Sequence, residues 1–285
     1  MNILIILIIL IICLLFILLI NTTEMYKNDD YISKKSCCLY AYYEKNESYK
    51  NNFEYFLNNG ILDNVDYYII INGDSTVNIP QKKNIIIYNR ENKGYDFGAW
   101  SYCVNKLNKI YDYYFFINTS VSGPYLISND KPWTDYFIEL FNNKIIKVVG
   151  TSINIYSLDN FNNKKLKEKY KERSVYPHVQ SMFFCIDNEY LNYLKLINFF
   201  NEEECNNYTN INDIIYNKEF GLSLNALDNN WNINSILNEL KNIDYINIKS
   251  DINPTSWNGD PYFPNAYFGK SINKNSVIFF KNNRL

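Results

Sequence analysis

The sequence predicts an α/β domain on three observations. Short runs rich in Ile, Val, Tyr and Phe alternate with stretches of helical character, in the order strand, helix, strand, strand, helix. Several of those runs stop at clusters of Asn, Asp, Ser and Gly, the residues that turn a chain out of a sheet. Of 285 residues, 47% are hydrophobic and 17% aromatic, enough to pack the core of one sizeable domain plus an appendage. No internal repeat is apparent, so one domain is expected.

The appendage is N-terminal. Ile3 to Ile20 is apolar and uncharged, at the lower end of the length an α-helix needs to cross a bilayer. It lacks the basic start and small-residue cleavage site of a secretory signal. Residues 1–20 therefore read as an uncleaved transmembrane anchor and 21–34 as a polar stem, ahead of a domain over 35–285. Lys27, Lys34 and Lys35 behind the span favour a cytosolic domain. Asn21-Thr22-Thr23 and Asn46-Glu47-Ser48 are glycosylation acceptors that suit a lumenal one, so the two signals oppose each other.

A net charge of −2 without a basic block argues against nucleic acid as the main partner. Beyond the anchor, Cys37, Cys38, Cys103, Cys185 and Cys205 show no Cys-x-x-Cys spacing, which makes buried free thiols the expectation rather than a zinc site.

Cys37 to Tyr43 is strand-like, Tyr49 to Asn59 is helix-like and closed by Gly60, and Val65 to Ile71 is a second strand ending in Asn72-Gly73-Asp74-Ser75. Ile85 to Tyr88 is the third strand, followed by a helix from about Gly98 to Ile110. Tyr113 to Ile117 is a fourth strand, terminating in Asn118-Thr119-Ser120. A helix from Trp133 to Phe141 and a strand from Ile145 to Val149 follow, then a Lys-rich exposed segment from Asn160 to Arg173. Met182 to Ile186 is another buried strand. Glu189 to Phe200 and Asn232 to Leu240 read as helices, and the aromatic, turn-rich tail is expected to fold back across the site.

The central stretch is Asn89 to Trp100, a strand-to-helix corner. Gly94 and Gly98 allow tight backbone, and Asn92 and Asp96 put short polar side chains at alternate positions. In open α/β sheets ligands bind beyond the carboxyl ends of the strands, and a helix amino terminus there offers N–H groups to phosphate. A diphosphate-bearing substrate is the natural candidate; a merely well-made turn is the alternative. His178, the single histidine, is either a structural hydrogen-bonder or a catalyst.

Several stretches in order resemble the rhamnan-synthesis-type glycosyltransferases, relatives of the family 2 enzymes. They are Asn92-Lys93-Gly94-Tyr95-Asp96-Phe97-Gly98-Ala99-Trp100, Phe116 to Pro124, His178-Val179-Gln180-Ser181, Glu219-Phe220-Gly221-Leu222-Ser223 and Ser276 to Lys281. The resemblance implies a GT-A fold, with a Rossmann-like mixed sheet flanked by helices. It also implies inverting transfer of a sugar from a nucleotide-diphosphate donor to a hydroxyl acceptor on a glycan, lipid or protein.

Carried over, Asn72, Asp74, Asn92, Gly94 and Asp96 would line the donor pocket with Asn118 and Ser120. His178 and Gln180 would face the diphosphate or acceptor, and Glu219 would be the base that takes the acceptor proton. Asn118-Thr119-Ser120 stands where many such enzymes place Asp-x-Asp. Without carboxylates there, Mn²⁺ or Mg²⁺ would be held weakly, through other ligands such as Asp96, or not used. The competing expectations are a non-catalytic domain of this type that binds a glycan or partner protein at a membrane, and a nucleotide-sugar hydrolase or phosphotransferase. No Gly-x-x-x-x-Gly-Lys loop is present, which argues against a P-loop enzyme.

Overall fold

The computed structural model describes residues 35–125, 130–157 and 164–281. The expected anchor and stem, residues 1–20 and 21–34, lie outside the described residues. Among the described residues no helix is long and apolar enough to cross a membrane.

Seven strands make the central sheet. β1 (Ser36–Tyr42), β2 (Val65–Asn72), β3 (Ile85–Arg90) and β4 (Tyr113–Asn118) are parallel in the order β3-β2-β1-β4. β9 (Phe183–Asp187) then runs antiparallel between β4 and β6 (Ile146–Gly150), and β10 (Asn232–Ser235) closes the edge parallel to β6. The expected mixed, Rossmann-like α/β sheet is therefore present. β1 and β4 carry almost wholly buried side chains on both faces, as parallel strands between covering layers must. The chain moves from β1 out to β2 and β3, then returns to the other side of β1 at β4. That reversal opens a crevice at the carboxyl ends of β1 and β4.

Helix α1 (Glu47–Asn59) starts where Asn46 accepts the Tyr49 N–H at 3.0 Å and ends at Gly60. Its Phe53, Phe56 and Leu57 recur at helical spacing, and Phe53 lies 4.2 Å from the Tyr42 ring of β1. Helix α2 (Tyr95–Val104) covers the sheet near the crevice; its Trp100 donates to the Leu39 carbonyl of β1 at 3.2 Å and packs on Phe97, Phe116 and Phe184. Lys147 of β6, 2% exposed, is ion-paired to Asp187 and Glu189 at 2.6 Å each, and so pins β6 to the end of β9. The five thiols from Cys37 to Cys205 are buried and free, and burial pushes each above its ordinary range.

Several elements differ from expectation. α2 begins at Tyr95 and ends at Val104 instead of spanning Gly98 to Ile110, because Gly94 in the left-handed region already turns the chain into the helix. α3 (Trp133–Ile138) stops short of Phe141. Asn232 to Leu240 is not a helix: Asn232–Ser235 is drawn into the sheet by pairing with β6, and a 3₁₀ turn covers Asn238–Leu240. β8 (Val175–Val179) forms its own hairpin-like pair with β7 (Ile153–Ser157), ahead of β9. Within Asn160 to Arg173, α4 (Lys164–Lys169) is a short helix, and α5 (Asn188–Leu196) ends before the expected Phe200.

Candidate active site

A cavity of about 640 Å³ opens at the crevice. Asn72, Asn92, Gly94, Asp96, Asn118 and Ser120, six of the residues expected at a donor site, lie in its wall together with Tyr43, Lys45, Tyr49, Asn206 and Tyr208. They converge because β1, β2, β3 and β4 all end there. Another cavity of similar volume, lined by Lys131, Glu139, Glu239 and Tyr267 among others, contains none of the expected site residues.

The corner is held by a close backbone approach. Gly94 has φ +69°, and a Cβ built on it would stand 2.3 Å from the carbonyl oxygen of Cys205 in α6 (Glu202–Asn207). Only glycine satisfies both demands. Arg90, at the end of β3, donates to Asn72 Oδ1 and to Asn206 Oδ1, each at 2.6 Å, so its guanidinium ties β2 and α6 together under the cavity wall.

Asp96 sits in the first turn of α2 and is half-buried in the wall. Burial raises its carboxyl to about 6; the amide of Asn118, donating at 2.7 Å, and the charge of Lys281 offset part of the rise, and the charge of Glu219 adds to it. The other end of the Asn118 side chain is occupied as well. Its Oδ1 accepts from the N–H of Ser120 at 2.9 Å and from its hydroxyl at 2.6 Å.

Glu219 lies inside a continuous helix. α7 (Ile211–Ile214), a π-helical turn (Ile215–Glu219) and α8 (Phe220–Asp228) run on continuously, and Glu219 is the last residue of the widened turn. Such turns shift the residues after them around the helix axis. Here Lys218 points into the core, donating to the Phe199 carbonyl at 2.6 Å, while Glu219 reaches toward β8. Its Oε1 is 3.6 Å from His178 Nε2, and its Oε2 accepts from the backbone N–H of Ser181 at 3.2 Å and from the Ser181 hydroxyl. Burial opposes ionisation, but His178, Ser181 and Lys281 together bring this carboxyl down to about 2. It is ionised at neutral pH.

His178 and Gln180 do not face the cavity. His178 is fully buried, its ring 3.9 Å from that of Phe220 and 5.4 Å from that of Tyr156, with Nδ1 against the Tyr176 carbonyl at 3.3 Å. Gln180 is also buried and accepts from Ser152 Oγ at 2.6 Å. Asp74 is exposed in the turn after β2 and outside the lining. Glu219 is likewise outside the lining, as is Lys281 of the C-terminal tail, whose charge bears on the carboxyls of Asp96 and Glu219.

No family profile matches this chain, and no curated protein matches it. Among solved structures it is similar to the mannosyltransferase PcManGT from Pyrobaculum calidifontis, determined in complex with GDP-Man and Mn²⁺, at 5% identity and a TM-score of 0.44. The match covers 72% of this chain and 55% of the other, so this chain spans about half of that protein's length.

The polar groups of the wall fit a divalent cation poorly. Asn118 turns an amide N–H, not an oxygen, toward Asp96, and its oxygen is taken by Ser120. Among the described residues no three His, Cys, Asp or Glu side chains converge as ligands. Hard cations need several oxygens around them, and this donor set does not provide them.

Proposed function

We propose that residues 35–285 form a GT-A-type glycosyltransferase domain. It moves a sugar with inversion from a nucleotide-diphosphate donor to a hydroxyl of a glycan, lipid or protein, and Ile3 to Ile20 anchors it to a membrane. The observation that carries this reading is the cavity at the sheet's reversal point, which gathers Asp96, Asn118 and Ser120 within electrostatic range of an ionised Glu219.

In this reading Asp96, Asn118 and Ser120 orient the donor by hydrogen bonds, and Glu219 takes the proton. The acceptor oxygen bonds to the anomeric carbon while the bond from that carbon to the diphosphate oxygen breaks. Its electron pair leaves with the nucleoside diphosphate, and the hydroxyl proton passes to a Glu219 oxygen. A carboxylate held near 2 is a weak base, so the proton moves only once bond formation has made the acceptor oxygen acidic. His178, buried behind Glu219 with Nε2 3.6 Å from its carboxylate, is a positioning residue that does not reach the donor.

The test is a calorimetric and thermal-shift screen of the full-length chain against nucleotide sugars, with and without Mn²⁺. Saturable binding of one of them, with a matching rise in Tm, is expected. A folded protein that binds none would reject the donor site and favour a tethered, non-catalytic domain.

A further inference from the structure

The second large cavity, also about 640 Å³, shares no lining residue with the one at the strand ends. Three segments distant in the chain enclose it: α3 with the residues just after it, the turn that follows β10, and the tail around Tyr267 and Ile278. Its floor is apolar and fixed. Leu140, Leu237, Tyr267 and Ile278 are buried. The Tyr267 backbone exchanges hydrogen bonds with that of Lys270 at 2.9 Å each way, and its hydroxyl donates to the Glu239 carboxylate and accepts the Glu239 N–H at 3.2 Å.

The rim is polar and braced from behind. Asn242 N–H donates to Asn234 Oδ1 at 2.9 Å, and Asn234 Nδ2 donates to Asn242 Oδ1 at 3.1 Å and to the Leu140 carbonyl at 3.2 Å, so β10 ties its following turn to the segment after α3. Asn238 and Asn275 stand exposed on this rim, and among the described residues their side-chain amides have no hydrogen-bond partner. The charges cancel. Lys131 is ion-paired to Glu139, its ammonium 4.3 Å from the centre of the Tyr136 ring, and Lys241 matches Glu239 in number, which leaves no net charge to draw a nucleotide or another anion.

Such a wall suits a neutral ligand with apolar faces and hydrogen-bonding edges, and a sugar ring has both. Its C–H faces pack on aliphatic and aromatic side chains, while an amide meets its hydroxyls as donor or acceptor and a carboxylate accepts from two of them at once. At about 30 Å³ per water the cavity has the volume of roughly twenty waters, more than one hexose ring fills.

We infer that this cavity binds a short neutral oligosaccharide, about two or three units long, with ring faces on Leu237, Tyr267 and Ile278 and hydroxyls on Asn238 and Asn275. Among glycan, lipid and protein acceptors it singles out a glycan. That step rests on the transferase reading; the binding site itself does not. Contacts remote from the reacting end keep the glycan on the domain and raise its effective concentration there.

Maltotriose, cellotriose, mannotriose and tri-N-acetylchitotriose, with their monosaccharides, are the probes, titrated calorimetrically into the full-length chain with and without UDP, GDP or dTDP. At least one trisaccharide should bind about tenfold more tightly than its monosaccharide, with a Kd that the nucleoside diphosphates leave unchanged. Asn238→Ala and Asn275→Ala remove exposed side chains and should each weaken it about three- to tenfold, the loss of one or two hydrogen bonds, with Tm and nucleotide binding as in the wild type. No trisaccharide binding to the folded chain, equal affinity for monosaccharide and trisaccharide, displacement by a nucleoside diphosphate, or an unchanged Kd in both variants would overturn the site. Trisaccharide binding without binding of any nucleoside diphosphate would overturn the donor cavity, and with it the glycan's role as acceptor, and leave the oligosaccharide site standing.

Discussion

Replacing Glu219 by Gln keeps the side chain's shape and removes its charge, and the structure sets both the size and the pH range of the effect. The carboxyl is held at about 2 against an ordinary 4.5, with 20% of the side chain exposed. At 1.36 kcal/mol per pKa unit, the difference sets a ceiling of roughly 3 kcal/mol, and solvent screening at the exposed edge brings the expected loss to about 1–2 kcal/mol at pH 7. Because the folded value lies below the unfolded one, the stabilisation is fully present above about 4.5 and is lost as pH falls toward 2. Urea unfolding of wild type and Glu219→Gln, followed by tryptophan fluorescence from pH 7 to pH 2, should show a gap that is constant above about pH 5 and closes in acid. Ser181 can still donate to the Gln oxygen, so donor binding should survive while sugar transfer is abolished. A gap that does not change with pH, or none at pH 7, would refute the electrostatic account; unchanged turnover would remove Glu219 from the chemistry.

Asp96→Asn should act with the opposite sign. The wild-type carboxyl, raised from 3.8 to about 6, costs stability once ionised, so the variant should be more stable at pH 8 by about 1–2 kcal/mol. That gain should fade as pH falls from about 6 to about 4. Donor affinity should fall at the same time, the usual exchange when a strained site residue is relaxed; equal Tm values for the two proteins at pH 8 would refute the raised pKa. Gly94→Ala forces a Cβ to within 2.3 Å of the Cys205 carbonyl at a left-handed φ, and should cost about 2–4 kcal/mol in urea unfolding. A loss below about 1 kcal/mol would mean that α6 yields easily and does not brace the corner.

Much of the fold could be read locally. β1 from Cys37, β2 from Tyr67 and β4 are apolar runs because both of their faces are covered, and a polar residue ends each of β2 and β4 where the chain leaves the sheet, at Asn72 and Asn118. The corner from Asn92 to Asp96 was legible for the same reason: Gly94 and its polar neighbours report on backbone geometry within a few residues. Asn232–Ser235 was not, since alternating Asn and Ile side chains have no decisive local preference and pairing with β6 settles the matter.

The chain by itself thus determined which segments are strands buried on both faces, which corner meets the crevice, and which polar residues stand at the strand ends. Tertiary structure decided which charges confront one another. The π-helical turn that carries Glu219 to His178 and Ser181 leaves no periodic trace in the sequence, and Asp74 had the right residue type but lies outside the cavity. Lys281 (β11, Phe280–Lys281) is set beside Val121 (β5, Val121–Ser122) only because those two short strands pair. Local propensity acts over a few residues, whereas the field at a carboxylate is set by whatever the fold brings within a few ångströms, however far apart in the chain.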